Sequence, residues 1–265
     1  MNDNDELLKV ASRAAEHGAA FIRGQVRPES DKWDLKGASD FVTAVDRGAE
    51  EVIGNTLLDG CPDSTVLGEE LTPDAASPNL LWVVDPLDGT TNYLHGYPAY
   101  AVSIAAAVSG DLKAAIVLDV PGGITSHATA GGGAWQDGRR LTVSNVRDPA
   151  QALIGTGWPF KRPALLPLFM QHFATILTET AGIRRAGSAS LDFVDVARGR
   201  FDGFWEPYLA PWDVAAGSLI VREAGGVVSD YAGNADVIRH GDFVAGNPQM
   251  HRWLVETLAR NTSGI

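Results

Sequence analysis

The segment Trp82-Val83-Val84-Asp85-Pro86-Leu87-Asp88-Gly89-Thr90-Thr91-Asn92 constrains this chain more than any other. The apolar run from Leu80 to Val84 predicts a short buried strand. An abrupt polar turn follows. Asp85 falls at the strand's end and Asp88 one turn later, with Pro86 stiffening the connection. Two carboxylates held this close repel each other unless a proton or a hard cation neutralises them. Gly89-Thr90-Thr91 can present backbone N–H groups at the start of a helix, where an anion is favoured. Metal-attracting carboxylates beside an anion cradle are what metal-assisted phosphate-ester hydrolysis needs. Taken alone, the segment leaves open the plainer reading that both acids cap a helix and shape a turn.

Three further acidic segments suit the same chemistry. Ser64 to Gly68 reads as a short strand ending in Glu69 and Glu70. Adjacent side chains on a strand point to opposite faces, so one of the pair would face a site. Asp213, in Pro211-Trp212-Asp213, is placed to cap a helix that Gly225 or Gly226 would end. Phe41, Thr43 and Val45 alternate as in a strand, with Asp46 opening a helix over Arg47 to Leu58. For each segment singly, a solvated strand end or a helix cap is the simpler account. A carboxylate can, however, cap a helix with one oxygen and bind a metal with the other.

Together these segments resemble the inositol monophosphatase family of magnesium-dependent, lithium-sensitive phosphatases. The resemblance rests on Gly68-Glu69-Glu70, on Asp85-Pro86-Leu87-Asp88-Gly89-Thr90-Thr91, on Trp212-Asp213 running into Glu223-Ala224-Gly225-Gly226, and on Asp40-x-Val42-Thr43-x-x-Asp46. It extends from about residue 5 to residue 258. It implies an α+β or α/β fold layered as an α-β-α-β-α sandwich, and two or three Mg2+ per active site. Glu69, Asp85 and the Leu87 carbonyl would hold the first magnesium. Asp85, Asp88 and Asp213 would hold the second, with Asp85 bridging. The turn Asp88-Gly89-Thr90 would take the phosphate through the N–H groups of Gly89 and Thr90. Thr90, hydrogen-bonded to Asp46, would help Glu69 orient and activate the attacking water.

The same resemblance places substrate contacts in the second half. Glu206 matches a carboxylate that accepts hydrogen bonds from inositol hydroxyls, and Gly187-Ser188-Ala189 matches a loop lying against the ring. Arg184 and Arg185 are candidates for a second anionic group on the substrate. The implied reaction is hydrolysis of myo-inositol monophosphate, with histidinol phosphate or another small phosphate ester as the rival. A reading from another class is a regulatory binding protein that keeps the phosphatase fold. The resemblance also implies a homodimer.

Other nucleophiles find little support. Cys61 is the single cysteine and has no neighbouring histidine. None of the six histidines forms a His-x-x-x-His pair, so zinc is not indicated. Gly131-Gly132-Gly133 lacks the Lys-Ser/Thr sequel of a nucleotide loop. A formal net charge of -12 disfavours nonspecific binding to nucleic acid or an anionic membrane. The acidic start Met1-Asn2-Asp3-Asn4-Asp5-Glu6 opposes a secretory or transit peptide, and the expectation is a cytoplasmic protein.

Along the chain, an amphipathic helix is expected from Asp5 to about Ile22, then strands near Thr65, Leu81, Val102 and Ile116. Val120-Pro121-Gly122-Gly123 should join Ala114–Asp119 to Ile124–Ala128 as a hairpin, with strands near Ala134 and Leu141 beyond it. Helices are expected at Pro163–Thr180, Leu191–Arg198, Asp213–Ala224 and Pro248–Arg260. Strands are expected at Leu153–Gly155, Gly203–Trp205, Gly226–Ser229 and Phe243–Ala245. The organisation expected is an N-terminal α+β part, 1–146, carrying most of the acids, and a C-terminal α/β part, 147–265, carrying Asp213 and the substrate contacts. The metal site would lie between them.

Overall fold

Alternation of small apolar residues along the central strands lets one sheet bury both of its faces. The computed structural model describes residues 3–30, 33–37, 40–70, 79–160 and 162–262. Helix α1 (Asp3–Gly24) begins with three acids and ends on Arg23, which suits the helix dipole, and buries an alanine-rich stripe. A two-stranded ribbon, β1 (Asp34–Gly37) with β2 (Asp40–Val42), precedes helix α2 (Ala44–Gly60). Strands β3 (Thr65–Gly68) and β4 (Leu80–Asp88) then pair in parallel, and helix α3 (Thr90–His95) follows β4 at once. Strands β5 (Ala101–Val108), β6 (Asp111–Asp119), β7 (Ile124–Thr129), β8 (Gly133–Gln136) and β9 (Arg139–Arg140) continue that sheet as an antiparallel meander.

The second half alternates. Strand β10 (Leu153–Thr156), helix α4 (Leu166–Glu179), strand β11 (Gly182–Arg184) and helix α5 (Ala189–Ala197) lead to strand β12 (Gly203–Leu209). Helix α6 (Pro211–Glu223), strands β13 (Val227–Asp230) and β14 (Gly241–Gly246), and helix α7 (Pro248–Thr262) complete the chain. The five-stranded sheet runs β11-β10-β12-β14-β13.

The layers follow from which residue of each strand faces which way. Trp82, Val84, Val102 and Ile104 pack with α1 and α2, while Val83, Ala101 and Ala105 pack with α5 and α6. Phe204, Phe243 and Ala245 of the second sheet meet the same two helices from the other side. Ile154, Trp205 and Val244 face α4 and α7. Helices α5 and α6 therefore fill the space between two sheets, and the expected α-β-α-β-α sandwich is the fold. No helix among the described residues is long and apolar enough to cross a membrane.

Several local expectations are corrected. Strand β4 does not stop at Val84 but continues through Pro86 to Asp88, shifting register against β5 between Asp85 and Asp88. A proline is tolerated there because a bulge leaves its position outside the ladder. Strand β2 ends at Val42, and the cap of α2 is Thr43, not Asp46. Asp46 is the third helical residue of a capping box: its carboxylate accepts the Thr43 N–H while the Thr43 hydroxyl oxygen accepts from the Asp46 N–H. Asp213 likewise lies inside α6, whose first residue is Pro211, and accepts the Ala210 N–H at 2.7 Å. Leu141 lies just past β9 and is held by its N–H donating to Ala134. The edge strand β11 was not foreseen; three residues are too few to show a period.

One buried group sets a pH signature. His172 on α4 is 2 % exposed and its Nε2 has no hydrogen-bond partner. Burial lowers its pKa below the ordinary histidine value, against smaller opposing effects of the Leu258 backbone and Asp242. Below about pH 6.5 the unfolded chain therefore takes up a proton that the fold refuses, and stability is lost as pH falls through that window. His172→Phe should gain stability relative to the parent protein as pH falls from 7.5 to 5.5, with a slope no steeper than about 1.4 kcal/mol per pH unit. Denaturant titrations at both pH values test this, and a pH-independent difference would refute it.

Candidate active site

The carboxylates meet where β4 is bulged. Asp85, on the bulge, is 1 % exposed, and its Oδ1 accepts the Leu87 N–H at 3.0 Å. Asp88 closes the strand, and Gly89 turns the chain into α3 with φ +97. A side chain at Gly89 would sit 2.8 Å from the Ala99 carbonyl, so both backbone sign and space call for glycine. Asp213 arrives from the first turn of α6, across the sheet interface. One carboxylate oxygen from each of Asp85, Asp88 and Asp213 lies within 4.8 Å of the others.

Each acid is held from behind. Asp88 Oδ2 accepts from Ser188 Oγ at 2.7 Å, from the Ser190 N–H at 2.7 Å and from Ser190 Oγ at 2.5 Å. Thr90 Oγ1 lies 2.8 Å from Asp46 Oδ1 and 3.1 Å from the Leu87 carbonyl. Its single proton is directed by the shorter contact to Asp46. The opposite Asp46 oxygen takes the Thr43 N–H at 2.9 Å and the Thr43 hydroxyl at 2.5 Å. Asn92 on α3 donates to the Ala99 carbonyl at 2.7 Å and the Ala186 carbonyl at 2.9 Å, tying the 186–188 loop to the turn at Gly89.

A cavity of about 270 Å³ joins these groups. Glu69, Asp85, Leu87, Asp88, Gly89, Thr90 and Asp213 line it, together with Gly187, Ser188, Ala189 and Glu206. Asp46 stands behind Thr90, not in the wall. Arg184 is a correction: its side chain is exposed and donates to the Ile183 carbonyl, while Arg185 lines the cavity. One residue's difference along the chain sends these two arginines in different directions.

Sequence reasoning missed several supports. Glu50 on α2 is buried and accepts the Glu70 N–H at 2.7 Å, and a Cβ on Gly68 would lie 2.1 Å from its carboxylate. Glu50 thus seats the turn that presents Glu69. Ser190 carries no signal beyond its spacing from Ser188. Gly157 seats Glu206 in the same way, since a Cβ there would be 1.9 Å from Oε1.

The electrostatics ask for a cation. Burial, and then the negative charges of Glu69, Asp88 and Asp213, push the Asp85 pKa well above the usual carboxylate range. Burial also raises Asp88 and Asp46 against the hydrogen bonds they accept. An all-oxygen donor set with this concentration of negative charge fits a hard divalent ion.

Known proteins resemble this chain over nearly its whole length. The model of the inositol monophosphatase family matches residues 3–263. The Nus factor SuhB of Pseudomonas aeruginosa is 43% identical over 258 residues, which is 95% of each chain. The extragenic suppressor protein suhB of Bartonella henselae superposes with a TM-score of 0.89 at 36% identity, covering 98% of this chain and 99% of that one. The inositol monophosphatase of Anabaena superposes at 0.86 with 32% identity, covering 98% and 97%. The chain belongs to the inositol monophosphatase family.

Proposed function

We propose that the protein is a magnesium-dependent phosphomonoesterase that hydrolyses myo-inositol monophosphate to inositol and phosphate. The observation that carries this reading is the convergence of Asp85, Asp88 and Asp213 in one cavity with Glu69, Thr90 and Glu206. Bound magnesium would supply Lewis acidity, lower the pKa of water toward neutrality and offset charge on the phosphate oxygens.

The protein's own groups do the rest. Asp85, Asp88, Asp213, Glu69 and the Leu87 carbonyl would hold the cations. The serine hydroxyls on Asp88 keep one of its oxygens committed, so the other is aimed inward. Glu69 and Thr90 orient the attacking water, with Asp46 fixing the direction of the Thr90 proton. The N–H groups of Gly89 and Thr90 favour the phosphate oxygens as charge develops on them. The water oxygen forms the new bond to phosphorus as the ester bond breaks, and the proton given up by the attacking water balances the one taken up by the departing alkoxide. Glu206 accepts hydrogen bonds from hydroxyls of the leaving inositol.

Phosphate release from myo-inositol 1-phosphate and from histidinol phosphate, with magnesium and with EDTA, tests the assignment. The expected result is magnesium-dependent release favouring the inositol ester, with inhibition by lithium. Preference for histidinol phosphate would keep the metal chemistry and overturn the substrate. A second reading, a regulatory binding protein on this fold, takes support from the 43% identity to a relative named a Nus factor. It predicts binding of a partner macromolecule that survives loss of turnover.

A further inference from the structure

Among the described residues, three that are not glycine have φ in the left-handed region: Ser109, Asp137 and Tyr208. Two are explained by turn chemistry. Ser109 precedes Gly110 between β5 and β6, and Asp137 precedes Gly138 between β8 and β9; small polar residues suit such hairpin turns. Tyr208, at φ +62, lies in a bulge of β12 between Glu206 and Leu209, and a bulky side chain rarely adopts that conformation.

The surroundings force it. The Tyr208 N–H donates to Asp242 Oδ1 at 2.8 Å. Its hydroxyl accepts from Arg162 Nη2 at 2.7 Å, and the same guanidinium lies 4.3 Å from the ring centroid. The His240 ring stands 6.1 Å away, tilted by 31°. Three separate segments, the loop after β10, the bulge of β12 and the start of β14, are thus tied at one residue, through its ring and its backbone N–H. An observed backbone outlier that is over-determined in this way, at the wall of a site, points to a use for the side chain it places.

The use follows from position. Tyr208, His240 and Trp212 line the cavity together with Glu206, and Trp212 meets His240 edge-on at 5.7 Å. Glu206 offers acceptors for hydroxyls, and the aromatic wall beside it offers an apolar plane. A cyclic polyol has both matching features, a rim of hydroxyls and a face of C–H bonds. An acyclic polyol has hydroxyls but no fixed face. We propose that Tyr208, clamped by Arg162 and Asp242, is a specificity-determining residue that packs on the C–H face of a cyclic leaving group and so discriminates cyclic from acyclic polyol phosphates. The inference rests on the phosphatase reading for the identity of the ligand.

Tyr208→Gly removes the ring and installs the one residue that takes this φ without strain, so folding should persist. Binding of myo-inositol 1-phosphate and glycerol 2-phosphate is measured by titration calorimetry with magnesium, and phosphate release is followed on the same samples. The variant should lose about 3- to 10-fold in affinity and in kcat/KM for the inositol ester, with the glycerol ester changed by less than about twofold. Arg162→Ala, which keeps the ring and frees it, should move the ratio in the same direction by less. Equal losses for both esters, or an unchanged ratio with only a shifted thermal midpoint, would overturn the proposal. Binding without release in the parent protein would remove the phosphatase reading, yet the calorimetric ratio would still decide the role of Tyr208. Binding of neither ester by the parent protein would overturn it.

Discussion

Asp85→Asn is expected to lower kcat by roughly 10³-fold or more while raising the stability of the metal-free protein. The two effects come from one cause. Asp85 is buried on the β4 bulge, and its charge is opposed by burial and by Glu69, Asp88 and Asp213. An asparagine has the same shape, can keep the acceptor for the Leu87 N–H, and carries no charge. Removing a disfavoured buried charge should raise the stability of the metal-free fold near neutral pH. With magnesium the order reverses, because the cation stabilises the parent protein by mass action and the variant binds it poorly. The sign with pH is also fixed. A carboxyl whose folded pKa is raised contributes stability that is full below the unfolded value near 3.9 and is lost as pH rises through the folded value. The metal-free parent should therefore lose stability relative to the variant as pH rises toward neutrality. Calorimetric unfolding with EDTA and with magnesium reads all of this. A variant that retains turnover, or that magnesium stabilises as much as the parent, would remove Asp85 from the metal site.

The legible parts of this molecule are those where side-chain type changes abruptly. The step from Val84 to Asp85, and the glycine after Asp88, announce a strand delivering acids to a turn, whatever the exact length of the strand. The layered fold was readable because apolar periods of two and of about 3.6 alternate after residue 150. The illegible parts depend on partners distant in sequence. Asp46 and Asp213 look like caps because each stands near a helix start; in fact each is the third residue, reaching back to the N–H before the helix. Pro211, a preferred first helical residue, was the available clue for Asp213. Arg184 and Arg185 differ only in direction, which the three-residue strand β11 sets and no period announces. Glu50, Ser190 and Tyr208 are found only when β12, α2 and the start of α5 are assembled around the cavity.

Thr90→Ala is expected to lower kcat by about 10²- to 10³-fold while changing the magnesium requirement by only a few-fold. The hydroxyl of Thr90 has one proton, and Asp46 Oδ1 at 2.8 Å claims it. Its lone pairs are then available to a water in the cavity, which gives the water a fixed orientation beside Glu69. Asp46 can hold that direction because its other oxygen is already engaged by the Thr43 N–H and hydroxyl, so the carboxylate cannot rotate without losing both. The effect of alanine should therefore fall on the chemical step and not on assembly of the metal site, whose acids keep all their supports. Thr90→Ser restores the hydroxyl without the methyl group and should recover most of the rate. Asp46→Asn should also lower the rate, since its single amide oxygen cannot accept from both the Thr90 hydroxyl and the Thr43 N–H. Steady-state kinetics over a magnesium titration separate the readings. An alanine variant whose kcat and magnesium affinity fall in equal proportion would mean that Thr90 serves the metal and not the water, and failure of serine to restore the rate would assign the loss to packing.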